Sequence, residues 1–341
     1  MVLVALLLFL YGPDIQRASA EGAASTETKA GKPIGSIERL DPRLDKLIPR
    51  DARLEKLAEG FDWAEGPVWV PKGNYLLFSD VPQNTIFKWK EGEGISVYMK
   101  PSGTSTYQQR GGEPGSNGLA LDSEGRLVLA EHGDRRISRE DSPGKKTTLA
   151  DRYNGKRFNS PNDLVFKSNG DLYFTDPPYG LVKGMEDPEK ELDFQGVFRL
   201  SKDGRVTLLT KELSRPNGMA FSPDEKTLYV SNSDLKKAVW MAYDVKDDGT
   251  IEHGHVFFDA TMWVGKKKGL PDGLKVDKAG NLFATGLGGV LVFAPDGTHL
   301  GTIDTGQATA NCNWGDDGSV LYITADMHLL RIKTSTKGAG W

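Results

Sequence analysis

The 341-residue chain has a single cysteine, Cys312, and a formal net charge of only −4. One cysteine excludes an intrachain disulfide framework and any zinc site built from several cysteines. Because Cys312 falls in an apolar repeat strand, we expect a small buried hydrophobe rather than a nucleophile. The charge is small and no basic stripe stands out, so nucleic acid is not expected as a partner.

Long apolar runs are also scarce. The run Val2–Tyr11 is too short to span a bilayer, and no stable membrane association is expected. Its length suits the apolar part of a signal peptide, and Ala18-Ser19-Ala20 supplies a cleavage pattern. We therefore predict a signal peptide over residues 1–20 and export to the periplasm or medium. Since no basic residue precedes the run, a misassigned start or a simple apolar arm is the alternative. Residues 21–50 are predicted to form a linker and N-terminal arm.

Glycine and proline are abundant, at 40 and 18 residues, which favours many short strands over a helical bundle. Six segments share one pattern, in which an acid or amide opens a strand and an acidic or glycine turn follows. Their opening residues are Glu65, Asn117, Asn162, Asn217, Asp272 and Asn311, spaced by 52, 45, 55, 55 and 39 residues. Eleven positions further on stands an apolar residue, at Leu76, Val128, Tyr173, Phe283 and Tyr322, and at Tyr229 one position later.

A repeat of this period with two hairpins per unit predicts four-stranded blades. We therefore predict an all-β fold, a six-bladed β-propeller over residues 51–335, followed by a tail at 336–341. A pair of β-sandwiches, the alternative, does not explain one motif recurring six times. The last unit ends at Lys333 with too few residues for four strands. Ala52–Gly60 is expected to complete it as a strand, in preference to a helix over Asp45–Leu57, because closure removes exposed sheet edges.

Equivalent positions of radial repeats converge on the axis, so the opening residues predict a ring of oxygen ligands. Asn-Gly and Asp-Gly are also ordinary turn dipeptides, and each residue alone could merely shape a strand entry. Glu65 has no turn preference, however, and stands at the same phase in an apolar segment. Carboxylate and amide oxygens suit a divalent cation, with Ca²⁺ as the first choice and Mg²⁺, Mn²⁺ and Zn²⁺ as alternatives.

These residues carry a family resemblance over roughly Leu54–Lys333. The segments AEGPVW around Glu65, RFNSPNDLVFKSNGDLYFTDPPYG, RPNGMAFSPDEKTLYVS and LPDGLKVDKAGNLF resemble the gluconolactonase, regucalcin and senescence-marker-protein family. LAEHGDRRISR around His132 is similar to its bacterial gluconolactonase branch. The resemblance implies a six-bladed propeller with one axial metal. It also implies that the metal ligands are Glu65, Asn162, Asn217 and Asp272, with Asp272 as general base.

The resemblance further implies hydrolysis of a small sugar lactone, with the metal polarising the carbonyl and water activated nearby. Asn117, His132 and Tyr179 are candidate substrate-binding residues, although His132 could instead cap a strand and Tyr179 could belong to a rigid turn. Animal relatives carry an arginine where this chain has Ser160, so their substrate contacts are not transferred. The insertions Pro101–Ser116, Lys183–Gln195 and Ala260–Gly269 are expected to border the site.

Two other functions fit the same ring. A phosphotriesterase-type hydrolase could use it to polarise a P=O bond, and a non-catalytic propeller could hold a structural ion. A comparison of lactone and fluorophosphate hydrolysis separates the first, and activity before and after chelation separates the second.

Overall fold

A computed structural model describes residues 34–104 and 112–341. The predicted signal peptide, the linker up to Pro33 and residues 105–111 of the first insertion lie outside these ranges. Within them, no helix has the length and apolar character needed to cross a bilayer.

The described residues form six antiparallel sheets around the axis, five of four strands and one of five, which we call blades 1 to 6. The inner strands are β3 (Ala64–Val70), β7 (Ser116–Leu121), β13 (Leu164–Phe166), β17 (Pro216–Phe221), β21 (Leu274–Val276) and β25 (Asn311–Gly315). The second strands are β4 (Tyr75–Asp80), β8 (Leu127–Glu131), β14 (Leu172–Asp176), β18 (Thr227–Asp234), β22 (Leu282–Gly286) and β26 (Val320–Ala325). The third strands are β5 (Thr85–Lys90), β9 (Arg136–Ser142), β15 (Gly196–Leu200), β19 (Lys237–Val245), β23 (Gly289–Phe293) and β27 (His328–Lys333).

The outer strands are β6 (Gly94–Met99), β10 (Lys145–Ala150), β16 (Val206–Thr210), β20 (Ile251–Asp259), β24 (His299–Asp304) and, for blade 6, β2 (Glu55–Glu59). Three further strands are β1 (Ser36–Arg39), β11 (Arg152–Tyr153) and β12 (Lys156–Arg157), and three short 3₁₀ helices span Pro42–Lys46, Gly184–Glu186 and Thr261–Trp263. The inner strands contact one another in sequence, and β25 contacts β3, so the circle closes. The predicted six-bladed, all-β propeller is confirmed.

Local sequence explains the hairpins within a blade. The turn at Asn169-Gly170 joins β13 to β14, and the turn at Asp203-Gly204 joins β15 to β16. Both glycines have positive φ, 87° for Gly170 and 82° for Gly204, which a residue without a Cβ adopts at little cost. The six apolar residues that follow the ring positions all lie in second strands and are buried.

The N-terminal segment of the described chain adds one strand to blade 5 and one to blade 6, and the C-terminal residues pack against blade 5. Strand β2 pairs with β27, with Glu55 opposite Arg331, so the predicted N-terminal strand closes blade 6. The alternative helix over Asp45–Leu57 is absent, since the 3₁₀ turn at Pro42–Lys46 overlaps only its first two residues. Within the predicted arm, β1 adds a fifth strand to blade 5 by pairing with β24. The predicted tail is also packed, since the Ala339 amide donates to the Val276 carbonyl.

The hydrophobic core is divided into six wedges, one between each pair of adjacent blades. Leu76 packs toward blade 6 while its neighbour Leu77 packs toward blade 2, because successive side chains of a strand point to opposite faces. Trp69 of blade 1 stacks on Tyr322 of blade 6, with ring centroids 5.4 Å apart. Each blade is therefore buried on both faces, which explains its nearly continuous apolar strands.

The antiparallel order fixes which loops surround the start of the inner strands. The connections from second to third strands and from outer strands to the next inner strand all lie at that end. The three insertions predicted to border the site are connections of these two kinds. The end of the axis where the opening residues lie is thus the end that carries the longest loops.

Candidate functional site at the propeller axis

The six opening residues of the repeats lie within two positions of the first residue of each inner strand. Glu65, Asn117 and Asn217 are the second residues of their strands, and Asn311 is the first residue of β25. Asn162 and Asp272 precede β13 and β21 by two residues. All six side chains belong to buried or nearly buried residues at one end of the axis. The structure therefore brings the four predicted ligands to the same layer of the fold.

Glycines after the opening residues allow neighbouring blades to approach closely at this ring. A Cβ added at Gly66 would lie 2.1 Å from the Asn117 carbonyl oxygen, and one added at Gly218 would lie 2.3 Å from the Asp272 carbonyl oxygen. These atoms belong to the backbone and cannot rotate away. The glycine at this position, present in four of the six units, thus reflects blade-to-blade contact that a Cβ would obstruct.

Small hydroxyl residues stand opposite five of the six ring positions, a regularity that the sequence comparison missed. They are Ser79, Thr175, Ser231, Thr285 and Thr324. The Ser79 hydroxyl donates to the Asn117 carbonyl at 2.9 Å, and the Thr285 hydroxyl lies 2.7 Å from the Ala310 carbonyl. These bonds satisfy buried backbone groups where the blades converge.

Polar residues at the next position of the second strands hold the loops that lead into the ring. Asp80 accepts from the Asp62 amide at 3.0 Å. Asp176 accepts from the Asn159 and Ser160 amides at 2.8 Å each. Asp176 is fully buried, and burial raises its pKa to about 7 even though the two amides favour the ionised form. Each bracing side chain fixes the approach to a ring residue by hydrogen bonds to main-chain amides.

Three carboxylates are buried together at the ring. Burial, with the Asp163 carboxylate as the next cause, raises the pKa of Glu65 to about 8. Burial and the Glu65 carboxylate raise the pKa of Asp272 well above its usual range. One oxygen of Asp272 and one of Asp163 are buried without a hydrogen-bond donor among the described residues. Mutually repelling, partly unpartnered carboxylates are the environment that a bound cation would neutralise.

Asp163 was not predicted as a site residue. It follows Asn162 and occupies the place where four other units have glycine. The signal was present in the sequence, because a charged side chain replaces glycine at the most crowded position of the repeat. Comparing only the opening residues of the units hid this substitution.

The four ring asparagines differ in whether their oxygens are free. The Asn311 oxygen accepts from the Cys312 amide at 2.9 Å, so it is already used within its own strand. The Asn117 oxygen is buried without a donor among the described residues. No donor in the same ranges bonds the side-chain oxygen of Asn162 or Asn217, whose amide nitrogens contact His132 at 3.4 Å and Ser233 at 2.9 Å. The Asn311 oxygen is thus less available to a cation than the oxygens of the other three asparagines.

His132, one of the predicted substrate-binding residues, is fully buried beside the ring. Its Nε2 faces the Asn162 amide, and its Nδ1 lies 3.1 Å from a carboxylate oxygen of Glu113. That second contact has ion-pair distance without the alignment of a hydrogen bond. His132 also donates its main-chain amide to Gly115, so the strand-capping role and the position beside the ring coexist.

Tyr179 also reaches the ring, although it follows a rigid turn as the alternative interpretation expected. The Ser160 hydroxyl donates to the Pro177 carbonyl at 2.6 Å and accepts from the Gly180 amide at 2.9 Å. This clamps the turn and places the Tyr179 hydroxyl beside Ser233 and near Asp272. Burial raises the pKa of Tyr179 above its usual range, and its hydroxyl lacks a well-aligned partner among the described residues.

A cavity of about 250 Å³ lies between the first two insertions, next to the residues that follow His132 and Tyr179. Its walls include Thr104, Pro114 and residues of the Lys183–Gln195 insertion.

Cys312 is buried, and burial raises its pKa to about 12, in accord with the predicted structural role. Arg157 stands three residues before Ser160, the position where animal relatives carry an arginine. Its side chain donates to the main-chain carbonyl of Asp134 at 3.0 Å.

The donor set fits a hard cation bound through carboxylate and amide oxygens together. In the described ranges, no group of three His, Cys, Asp or Glu side chains is arranged to hold a metal by itself. A cation at the ring would therefore depend on asparagine oxygens as well as on Glu65 and Asp272. Oxygen donors of this kind match the preferences of Ca²⁺.

Fold and ring together define a six-bladed propeller with carboxylate and amide side chains gathered at one end of its axis. A family model described as the SMP-30/Gluconolactonase/LRE-like region matches residues 63–326. The chain belongs to that family. It is 43% identical over 327 residues to the gluconolactonase of Zymomonas mobilis subsp. mobilis, covering 92% of this chain and 90% of that protein.

Two further proteins are similar to this chain over most of its length. The pentonolactonase XacC of Haloferax volcanii is 28% identical over 266 residues, covering 76% of this chain and 80% of its own length. The solved structure of a gluconolactonase from Xanthomonas campestris superposes with a TM-score of 0.76 at 33% identity, covering 90% of this chain and 99% of that chain.

Proposed function

We propose that this protein is a lactonase that hydrolyses a sugar lactone such as glucono-1,5-lactone to the aldonic acid. The observation that carries the proposal is the ring itself, in which the carboxyl groups of Glu65, Asp163 and Asp272 are gathered out of solvent. One oxygen of Asp163 and one of Asp272 lack a donor among the described residues. The 43% identity to a gluconolactonase supports the lactone as substrate class.

We assign the cation-holding role to Glu65, Asn162, Asn217 and Asp272, with Ca²⁺ as the first choice. A bound divalent cation would supply positive charge toward the lactone carbonyl oxygen and so stabilise the negative charge that develops there. Asn162 and Asn217 contribute side-chain oxygens that no described donor bonds. Glu65 is held by its own neighbourhood, since it accepts from the Trp63 indole at 3.3 Å and the Gly66 amide at 3.1 Å.

Asp272 is assigned to orient the attacking water and accept its proton, because one of its oxygens is buried without a donor among the described residues. Water adds to the carbonyl carbon, the ring C–O bond of the ester breaks, and the proton passes to the departing alkoxide oxygen. The Asn117 oxygen can accept from a sugar hydroxyl, and the Tyr179 hydroxyl can donate to a sugar oxygen. His132 forms part of the wall beside Asn162.

The test combines chelation with substitution at Asp272. Chelation should abolish hydrolysis of gluconolactone, and one divalent ion, Ca²⁺ in the first instance, should restore it. Asp272→Asn should lower kcat by roughly 10²–10⁴-fold. The matched control is Asp247→Asn in the exposed turn between β19 and β20, which should leave the rate unchanged.

Full activity in the chelated protein would refute the cation assignment. An Asp272→Asn rate within a few-fold of wild type would refute the role of Asp272. Hydrolysis of a fluorophosphate without hydrolysis of any lactone would favour the phosphotriesterase alternative. Unfolding on chelation, with no hydrolysis of either substrate, would favour a structural ion.

A further inference from the structure

The Ser233 hydroxyl joins two ring positions to each other. Ser233 lies in β18 and is buried. Its Oγ accepts from the Asn217 side-chain nitrogen at 2.9 Å and donates to the carbonyl of Pro271, the residue before Asp272. One side chain thus contacts a ring asparagine and the peptide that leads into a ring aspartate.

The hydrogen-bond chemistry of this arrangement fixes the orientation of the Asn217 amide. A serine hydroxyl carries one hydrogen, and a proline carbonyl can only accept. Because that hydrogen is used on Pro271, the hydroxyl can only accept from Asn217. Of the two ends of the amide, only the nitrogen can donate. The Asn217 oxygen must therefore lie on the side away from Ser233, and no donor among the described residues bonds it.

We propose that Ser233 is a positioning residue that holds the Asn217 amide with its oxygen available to a cation. The inference rests on the proposed function in one respect, that Asn217 is a ligand. Without the Ser233 hydroxyl, the amide loses the partner that distinguishes its two ends. A flipped amide would present nitrogen and two hydrogens to the cation, which cannot act as ligands.

A neighbouring serine shows that the role is not shared by every hydroxyl of the strand. Ser231, two residues earlier in β18, lies 3.3 Å from the Gly218 carbonyl and contacts main chain. In blade 2, His132 occupies the place equivalent to Ser233 and likewise approaches the nitrogen of a ring asparagine, Asn162. His132 belongs to blade 2 and contacts the asparagine of blade 3, whereas Ser233 contacts the asparagine of its own blade, so the same position meets a ring amide in both cases.

The test measures cation affinity rather than activity. Terbium luminescence is suitable because the Trp63 indole lies 3.3 Å from Glu65 and can sensitise an ion bound there. Calcium competition gives the calcium Kd. Ser233→Ala should weaken binding by roughly tenfold or more, as is usual when a partner of a ligand is removed. Ser233→Thr keeps the hydroxyl and should restore affinity to within about threefold of wild type.

Two comparisons separate orientation from general damage. Ser214→Ala is the matched control, since it removes a serine hydroxyl that bonds Asp234, beside Ser233, and touches no ring residue. It should leave the Kd unchanged. In an Asn217→Asp background the side chain presents oxygen at both ends, so Ser233→Ala should change the Kd by less than about twofold.

The outcomes are distinct. If wild type binds no divalent ion, the cation assignment fails and the role of Ser233 fails with it. If wild type binds and Ser233→Ala binds within about twofold of it, the role of Ser233 is refuted while the proposed function stands. An equal loss in the wild-type and Asn217→Asp backgrounds would also refute orientation. If Ser233→Ala does not fold, the same comparison is made with Ser233→Cys, whose thiol is a weak donor and acceptor and should also weaken binding.

Discussion

Blades 4 and 5 approach each other so closely at Gly218 that even a methyl group there should disturb the ring. A methyl group at this position would lie 2.3 Å from the Asp272 carbonyl oxygen and 2.5 Å from the Gly273 Cα. Ordinary van der Waals contacts begin near 3.4 Å. Gly218→Ala therefore requires the main-chain segments of blades 4 and 5 to separate by about 1 Å at this point. Both contacting atoms are main chain, and rotation of a side chain cannot relieve them.

The separation must displace Asp272 relative to Asn217, because each is fixed to its own blade. Overpacking of this kind costs about 1–3 kcal/mol of unfolding free energy. A displacement of about 1 Å in groups that position a substrate costs roughly 100-fold in rate. We therefore expect Gly218→Ala to fold with a lower Tm, to bind calcium more weakly and to lose most of its lactonase activity.

Thermal unfolding, calcium affinity and gluconolactone hydrolysis are measured on the same preparation. Gly73→Ala is the control, because its Cβ would meet only the ring of Tyr75, a half-buried side chain in a surface hairpin that can turn aside. If Gly218→Ala keeps the wild-type Tm and a rate within about threefold, the argument that main-chain contact sets the ring geometry is wrong.

Three further predictions address other parts of the fold. Asp163→Asn removes one of three buried carboxylates, and calcium affinity measured by titration should fall by roughly tenfold; unchanged affinity would show that Asp163 does not serve the cation. Because the pKa of Asp176 is raised from 3.8 to about 7 in the fold, the folded protein holds a proton that the unfolded chain releases between these values, and stability falls as pH rises through that range. Urea unfolding from about pH 5 to pH 8 should thus show a shallower decline for Asp176→Asn than for wild type, and parallel curves would contradict this. Removal of residues 1–60 deletes β2 and exposes the β27 edge, so the cooperative unfolding transition should be lost, and a retained wild-type transition would show that closure is dispensable.

The repeat made most of the fold predictable. Blade number, the position of the second strands and closure by an N-terminal strand all follow from period and from apolar residues such as Leu76 and Phe283. Strand β1 did not follow, because its sequence Ser-Ile-Glu-Arg has little apolar pattern and pairs with β24 through main-chain bonds. Its partner is a sheet edge whose position exists only after the propeller forms.

Membership of the ring was predictable from the sequence, whereas the contacts that position its side chains were not. Equivalence of phase singled out Glu65, Asn162, Asn217 and Asp272 as members of one ring, and the structure places them in one layer. Contacts between residues far apart in sequence were not predictable. Ser233 lies 16 residues after Asn217, and the role that we propose for it depends on the position of Pro271 in the next blade. The approach of Glu113 to His132 likewise depends on the path of an insertion, which no repeat specifies.

Closure of blade 6 by β2 has a consequence for the protein during its synthesis. Glu55 and Arg331 form an ion pair across 276 residues of chain, so one strand leaves the ribosome among the first and waits for a partner made among the last. Until then, blades 1 and 5 stand at the two open ends of the nascent ring. Glu65 belongs to one of these ends and Asp272 to the other. Glu65 and Asp272, two of the carboxylates that we propose as cation ligands, therefore reach their final arrangement only after blade 6 has joined the two ends. Until then, the growing chain exposes two wedge faces that a chaperone can shield.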